Sequence, residues 1–468
     1  MGSFHCNTIE NKKISFDIIE QLLNESNSDI EKRVLSDYLY IKNLNKTNNC
    51  KASLEYKNIT NYISKEIRKK NFTKWIKLIG TSTIIQLHKK DNVQKELEKV
   101  LYKNYKNKKK KFLELLLNDP PKSIRPLIWL IISEQVERND KYYLNLLEYN
   151  IEPNLIEEIG KDVERTFSNN EYTSEKAKVL YNILYTIPSL DKEIGYCQGL
   201  NFIVSFLLKV TFYNEIDCFY LLIYLLERIR GYFIPGFPLL KINMYIFNYF
   251  FKKFFPKLSE HFNKLEIPNE IWIGKWMQTL FILNVPFNEL CRFWDCLFIF
   301  GLDFFIAISL SIIHYFENDL LEFNDSTEVI YYLKECLNPK KFENIYENFD
   351  KRIISIDKII NKAKQYYKSM YKDNIKKMKN EYIKNNNMNI KIFDIKYDFD
   401  LISKSYLSQS SINFKSNIKY KLIKKKSFPL SFSIFNDDDN DDYEEENEIN
   451  TNRENISKYI LHIGTKNQ

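Results

Sequence analysis

Glycine and proline are scarce in this chain, at 10 Gly and 12 Pro in 468 residues. Few positions can punctuate it, which favours long helices over many short strands. Strand-type alternation flanked by paired turn dipeptides is missing too, and no repeat of fixed period appears, so sheet folds and solenoid arrays are disfavoured. The cysteines Cys6, Cys50, Cys197, Cys218, Cys291, Cys296 and Cys336 are odd in number, scattered and never in a CxxC spacing. They offer neither a disulfide framework nor a zinc site and point to a reducing, intracellular setting. Neither sign of charge dominates: 69 Lys and Arg stand against 61 Asp and Glu, a net +8 spread along the chain, which gives no footprint for nucleic acid. The opening MGSFHCNTIENKK lacks the apolar core of a secretory signal.

What is present is apolar bulk, with 44% hydrophobic residues, 34 Phe and 32 Tyr. A chain of this length can bury one large two-lobed core with flanking extensions, or two separate domains. Met1-Gly2 with Cys6 sketches a two-signal lipid anchor, acylation at Gly2 and palmitoylation at Cys6. Residue 6 is Cys where the motif prefers Ser or Thr, and an unanchored start is the simpler reading. One apolar run, Cys296 to Phe316, is long enough to cross a bilayer, but it carries Gly301 and Asp303. A charge near the middle of a span costs a few kcal/mol, roughly 3, so Gly301-Leu-Asp303 reads better as the junction of two shorter buried helices.

Residues 1–61, rich in Asn, Lys, Ser and Glu, form a poorly ordered lead-in. Residues 62–372 hold the compact part, with a motif-bearing core at 120–337. Lys103–Lys111 is the solvated face of a helix or linker, with a patch for acidic lipid headgroups as the lesser reading. From 112 to 337 apolar residues recur at helical spacing, for example Ala177, Leu180, Leu184 and Ile187 before a stop at Pro188. Ile353, Ile356, Ile360, Ala363 and Tyr367 make a last amphipathic pattern that closes near 372. Residues 373–468 are expected to be a mostly disordered tail with an acidic block at Asp437–Glu446, a solvating segment or, as the lesser reading, a dock for a basic partner.

Two polar signatures stand out, Ile159-Gly-Lys-Asp162-Val-Glu-Arg165 and Gly195-Tyr196-Cys-Gln198-Gly199-Leu-Asn201. On a helix from about residue 155, Leu155, Ile156, Ile159 and Val163 form an apolar stripe with Asp162 on its shoulder, and Arg165 lies about 135° from its centre, accessible to solvent. An Asp/Arg pair three apart is usually a surface ion pair worth a few tenths of a kcal/mol. Gln198 opens the apolar run beginning at Phe202, where a glutamine usually satisfies orphan N–H groups of a helix start. Its amide also suits a residue that must position an attacking water.

Together these residues resemble the TBC-domain Rab GTPase-activating proteins, whose hallmarks are IxxDxxR and YxQ, matched here by Ile159/Asp162/Arg165 and Tyr196/Gln198. Arg68 with Lys74-Trp75, Ile124-Arg125-Pro-Leu-Ile-Trp129, Trp276-Met-Gln-Thr-Leu-Phe281 and Phe293-Trp294-Asp295 with Gly301 resemble further family blocks. The resemblance implies an all-α, two-lobed helical domain with disordered extensions. It implies a GTPase-activating protein for a Rab-family small GTPase in its GTP-bound state, regulating vesicle trafficking, or alternatively a catalytically inactive Rab-binding scaffold.

By the same resemblance Arg165 is the arginine finger and Gln198 the glutamine finger, both supplied in trans. Asp162 steadies Arg165, Tyr196 shapes the loop of Gln198, Ile159 pins the helix, and Arg125 makes a structural ion pair or braces the fingers. Trp129, Trp276, Trp294, Asp295 and Gly199 are structural. The chain is no GTP hydrolase itself and needs no cofactor or metal of its own, since Mg²⁺ and GTP travel with the GTPase. Its place is cytoplasmic, peripheral on endomembranes. Two positions depart from the pattern: Asp119-Pro120-Pro121 stands where a Gly-Ile-Pro turn is common, and Ser168 where a proline is.

Overall fold

The computed structural model describes residues 73–80, 93–122, 124–166, 173–337 and 354–388, and among these the regular structure is helical throughout. The first half holds α1 (73–79), α2 (Val93–Asn107), α3 (Lys109–Leu116), α4 (Arg125–Ile132), α5 (Asp140–Leu147), α6 (Pro153–Thr166), α7 (Ser174–Leu190), α8 (Leu200–Val210) and α9 (Glu215–Ile229). A 3₁₀ turn, Arg230–Tyr232, leads to the second half. There α10 (Pro238–Phe254), α11 (Pro256–Lys264), α12 (Asn269–Gln278), α13 (Phe287–Phe300), α14 (Asp303–Glu322), α15 (Ser326–Glu335), α16 (Ile356–Lys372) and α17 (Ile375–Asn385) follow.

Local chemistry sets many of the starts. Asn139, Thr173, Asn214, Asp325 and Ser355 each accept a hydrogen bond from a first-turn N–H, satisfying donors a helix leaves open. Pro188 does not end α7, which runs on to Leu190. The ring costs one intrahelical bond to the carbonyl four residues back. Asp191 then closes the end by donating its N–H to Ile187 O at 2.8 Å.

Packing sorts the helices into two sets. In the first, α7 lies against α5, α6 and α8, α8 against α9, and α9 and α2 against α4. In the second, α14 packs most extensively on α16, while α10 touches α11, α12, α14 and α17. Contact between α4 and α13 joins the sets. There Trp129 stacks on Phe298 and Trp294 with ring centroids 4.7 and 6.0 Å apart, and Phe206 of α8 meets Trp294 at 4.5 Å. Trp276 packs beside Trp272 and Phe281 within the second set. Trp129, Trp276 and Trp294 are all fully buried, as apolar rings of that size should be.

The apolar run from Cys296 is split as its glycine suggests. Gly301, at φ 80° and ψ −175°, ends α13, and Asp303 starts α14. Among the described residues α14 is the one helix long and apolar enough to cross a membrane, with 67% of its apolar window buried inside the molecule. Order continues past residue 372, the expected limit of the compact part. In α17 Ile375 is buried, Tyr382 packs on Tyr245 at 4.7 Å, and Lys379 pairs with Asp303. The expected lead-in, Arg68, Ser168 and the acidic block lie outside the described residues.

Candidate functional site

Both signatures fall on α6 and on the loop between α7 and α8. Pro153, whose fixed φ suits a first helical turn, opens α6, and Ile159 and Val163 face the core. The stripe differs from the expected one in two ways. Ile156 is 39% exposed, and Asp162, placed on the shoulder by the periodicity, is buried at 4%. The helix is rolled so that Asp162, and not Ile156, joins Ile159 and Val163 on the inward face.

That carboxylate is tolerated because it is fully partnered. Arg165 pairs with Asp162 Oδ1, and the Tyr196 hydroxyl donates to Asp162 Oδ2 at 2.6 Å from 34 positions along the chain. A buried carboxylate is acceptable when cations and hydrogen-bond donors replace its water. Burial, together with the bond to Asp162, raises the Tyr196 phenol well above its ordinary range, so it stays a donor at any physiological pH. The Arg165 side chain remains 51% exposed. Asp162 thus aims the guanidinium without hiding it.

Gln198 is exposed, and its amide makes no hydrogen bond among the described residues. It does not cap α8. The N-cap is Gly199, at φ +111°, a conformation that favours glycine, and the Gly199 N–H is accepted by Asn201 Oδ1 at 3.0 Å. Asn201 in turn donates from Nδ2 to Thr166 Oγ1 at 2.8 Å, and Thr166 donates its hydroxyl proton to the Asp162 carbonyl. Between Tyr196 and Gln198, burial and the nearby carboxylates of Asp162 and Glu158 push the Cys197 thiol up to about 11, leaving it protonated at neutral pH.

The loop is held at its start as well. Asp191 Oδ1 accepts the N–H groups of Glu193 and Ile194 at 3.1 and 3.2 Å. The buried Arg230 guanidinium pairs with Asp191 and with Glu193, each at 2.5 Å. Thr166, Asn201, Asp191 and Arg230 were assigned no part by sequence reasoning. The readable signal was Asn201, a lone amide in the mostly apolar Leu200–Val210 helix.

Arg125 belongs to a separate cluster. Its Nε donates to Asp295 Oδ1 at 3.2 Å, another guanidinium nitrogen pairs with Asp119, and Trp129 Nε1 donates to the same Asp295 oxygen at 2.9 Å. Burial pushes the Asp295 carboxyl up to about 6, against the pull of Arg125 and Arg292. This is an ion pair between α4 and α13. Its partners Asp295 and Asp119 lie on α13 and just ahead of α4, and the shared Asp295 oxygen ties it to Trp129 of α4.

Comparison with known proteins bears on the domain and its fold. Residues 122–321 match the Rab-GTPase-TBC domain model. Growth hormone-regulated TBC protein 1-A of Danio rerio is 32% identical over 218 residues, covering 45% of this chain and 61% of that protein. GTPase-activating protein GYP5 of Eremothecium gossypii is 28% identical over 248 residues, 50% of this chain and 29% of that protein. The crystal structure of the Ypt/Rab-GAP domain of Gyp1p shares the fold at TM-score 0.50 and 18% identity, over 64% of this chain and 98% of that one. The fold and the two signatures define a helical TBC domain. Residues 122–321 are thus similar to the TBC domains of Rab GTPase-activating proteins. It spans about three fifths of the Danio rerio relative's length, 61%.

Proposed function

We propose that this protein is a GTPase-activating protein for a Rab-family small GTPase in its GTP-bound state, and that it delivers Arg165 and Gln198 in trans. One observation carries the reading: Arg165 and Gln198 are both open to solvent, while the residues beside them are tied to one another by buried hydrogen bonds.

The chemistry asks for such a pair. Phosphoryl transfer to water spreads charge over the γ-phosphate and the β–γ bridge, and a guanidinium supplied in trans is worth ~10³–10⁵ in rate. Releasing Arg165 leaves the buried Asp162 carboxylate without its cation, a cost that the phosphate contacts must offset. The phosphate oxygens then offer the fork of N–H donors a charge-assisted replacement. Gln198, with its amide uncommitted, can accept from the attacking water and donate to a backbone carbonyl of the GTPase. Mg²⁺ and GTP arrive with the partner. The protein acts in the cytoplasm, at the endomembrane surface where its GTPase sits.

The test is a panel of GTP-loaded Rab proteins, each followed for phosphate release with and without the full chain. At least one member should be accelerated. Binding of a GTP-loaded Rab with no acceleration in any member would make the protein a Rab-binding scaffold instead.

A further inference from the structure

Thr166, the last residue of α6, directly follows Arg165, and Gly199, the N-cap of α8, directly follows Gln198. One side chain touches both. Asn201, 0% exposed, donates to Thr166 Oγ1 and accepts the Gly199 N–H. Because Thr166 also donates to the Asp162 carbonyl, the Asn201 amide reaches the backbone of the finger helix at one end and that of the glutamine loop at the other. Burying an amide costs free energy unless donor and acceptor both find partners. Here both ends are used, each on the residue beside a finger.

We propose that Asn201 is a positioning residue, a strut that sets the separation and mutual orientation of Arg165 and Gln198. The tie from Tyr196 to Asp162 joins the same two segments at other points, Asp162 lying three residues before Arg165 and Tyr196 two before Gln198. A single hydrogen bond between two segments is a pivot. Two bonds offset along both segments resist rotation, so the guanidinium and the amide approach one γ-phosphate as a unit. Misplacing a reacting group by about 1 Å costs ~10²-fold in rate, which gives a strut of this kind a catalytic consequence. That consequence rests on the GTPase-activating reading, whereas the strut is a property of the fold alone.

Two variants test it. Asn201→Asp keeps the size and the acceptor for Gly199 but removes the donor to Thr166, and Thr166→Val removes the acceptor at the far end. The first readout needs no GTPase. Amide hydrogen exchange in 195–199 and in the last turn of α6 should speed up in both variants by more than their loss of global stability, measured by chemical denaturation, accounts for. The second is single-turnover hydrolysis by a Rab that the wild type activates. The saturating rate should fall by about 10-fold or more with little change in KM, and the fall should not repeat in an Arg165→Ala background, because groups that act as a unit are non-additive. Unchanged exchange in both variants overturns the strut, as does an unchanged saturating rate. If the wild type activates no Rab, the functional reading fails and exchange alone decides.

Discussion

At the scale of single residues, Asp162 governs the site. It is the buried group on which an exposed arginine and a loop tyrosine converge. Tyr196→Phe deletes one donor and leaves a buried carboxylate oxygen unmet, a change expected to cost about 1–3 kcal/mol of stability and visible as a lower urea midpoint. Asp162→Ala removes the charge as well, so Tyr196 loses its acceptor and Arg165 its guide; single-turnover hydrolysis should fall while binding of the GTP-loaded Rab persists. The proposed fingers, Arg165 and Gln198, stand out in the sequence because their neighbours repeat a known spacing. The inward turn of Asp162 was not legible there. A helical wheel counts any carboxylate as polar and places it outward, and nothing local announces a tyrosine 34 positions away. Asn201 escaped for the same reason, its partners Thr166 and Gly199 being meaningful only once α6 and α8 lie side by side.

At the scale of elements, α6 decides where the arginine points, and its buried face is narrower than its apolar pattern. Periodicity counted Ile156 and Ile159 alike, yet Ile156 is 39% exposed and Ile159 fully buried. Ile159→Ala should therefore cost about 2–5 kcal/mol, whereas Ile156→Ala should stay within about 0.5 kcal/mol, both read by chemical denaturation. Ile156 is the better probe of partner contact, because a change in Rab activation there would not be a change in folding. The helical class and the break at Gly301 were readable from spacing and glycine placement. The end of α7 was misplaced because a proline in the last turn removes one bond and not the helix. The order in α17 was hidden by a Lys- and Asn-rich composition, since its hold on α10 depends on Tyr382 finding Tyr245.

At the scale of the whole molecule, the two helical sets are joined where α4 meets α13, and the joint contains a buried carboxylate. The folded protein holds the Asp295 proton up to about pH 6, whereas an unfolded chain releases it near 3.8. The folded state therefore binds more protons between those values, and this group's contribution to stability, complete below 3.8, is lost as pH rises through 6. Asn at 295 cannot titrate. The stability gap between wild type and Asp295→Asn should narrow from pH 4 to pH 6, by at most about 1.4 kcal/mol per pH unit, as measured by denaturant titration at each pH. The central claim remains that one rigid scaffold presents two fingers to a partner's phosphate. Single-turnover GTP hydrolysis by an activated Rab, compared among wild type, Arg165→Ala, Gln198→Ala and the double variant, tests it most directly. The account predicts a loss of ~10²-fold or more for Arg165→Ala, at least ~2.7 kcal/mol of transition-state stabilisation, and a double variant little worse than that single one. Wild-type rates in both single variants would contradict it.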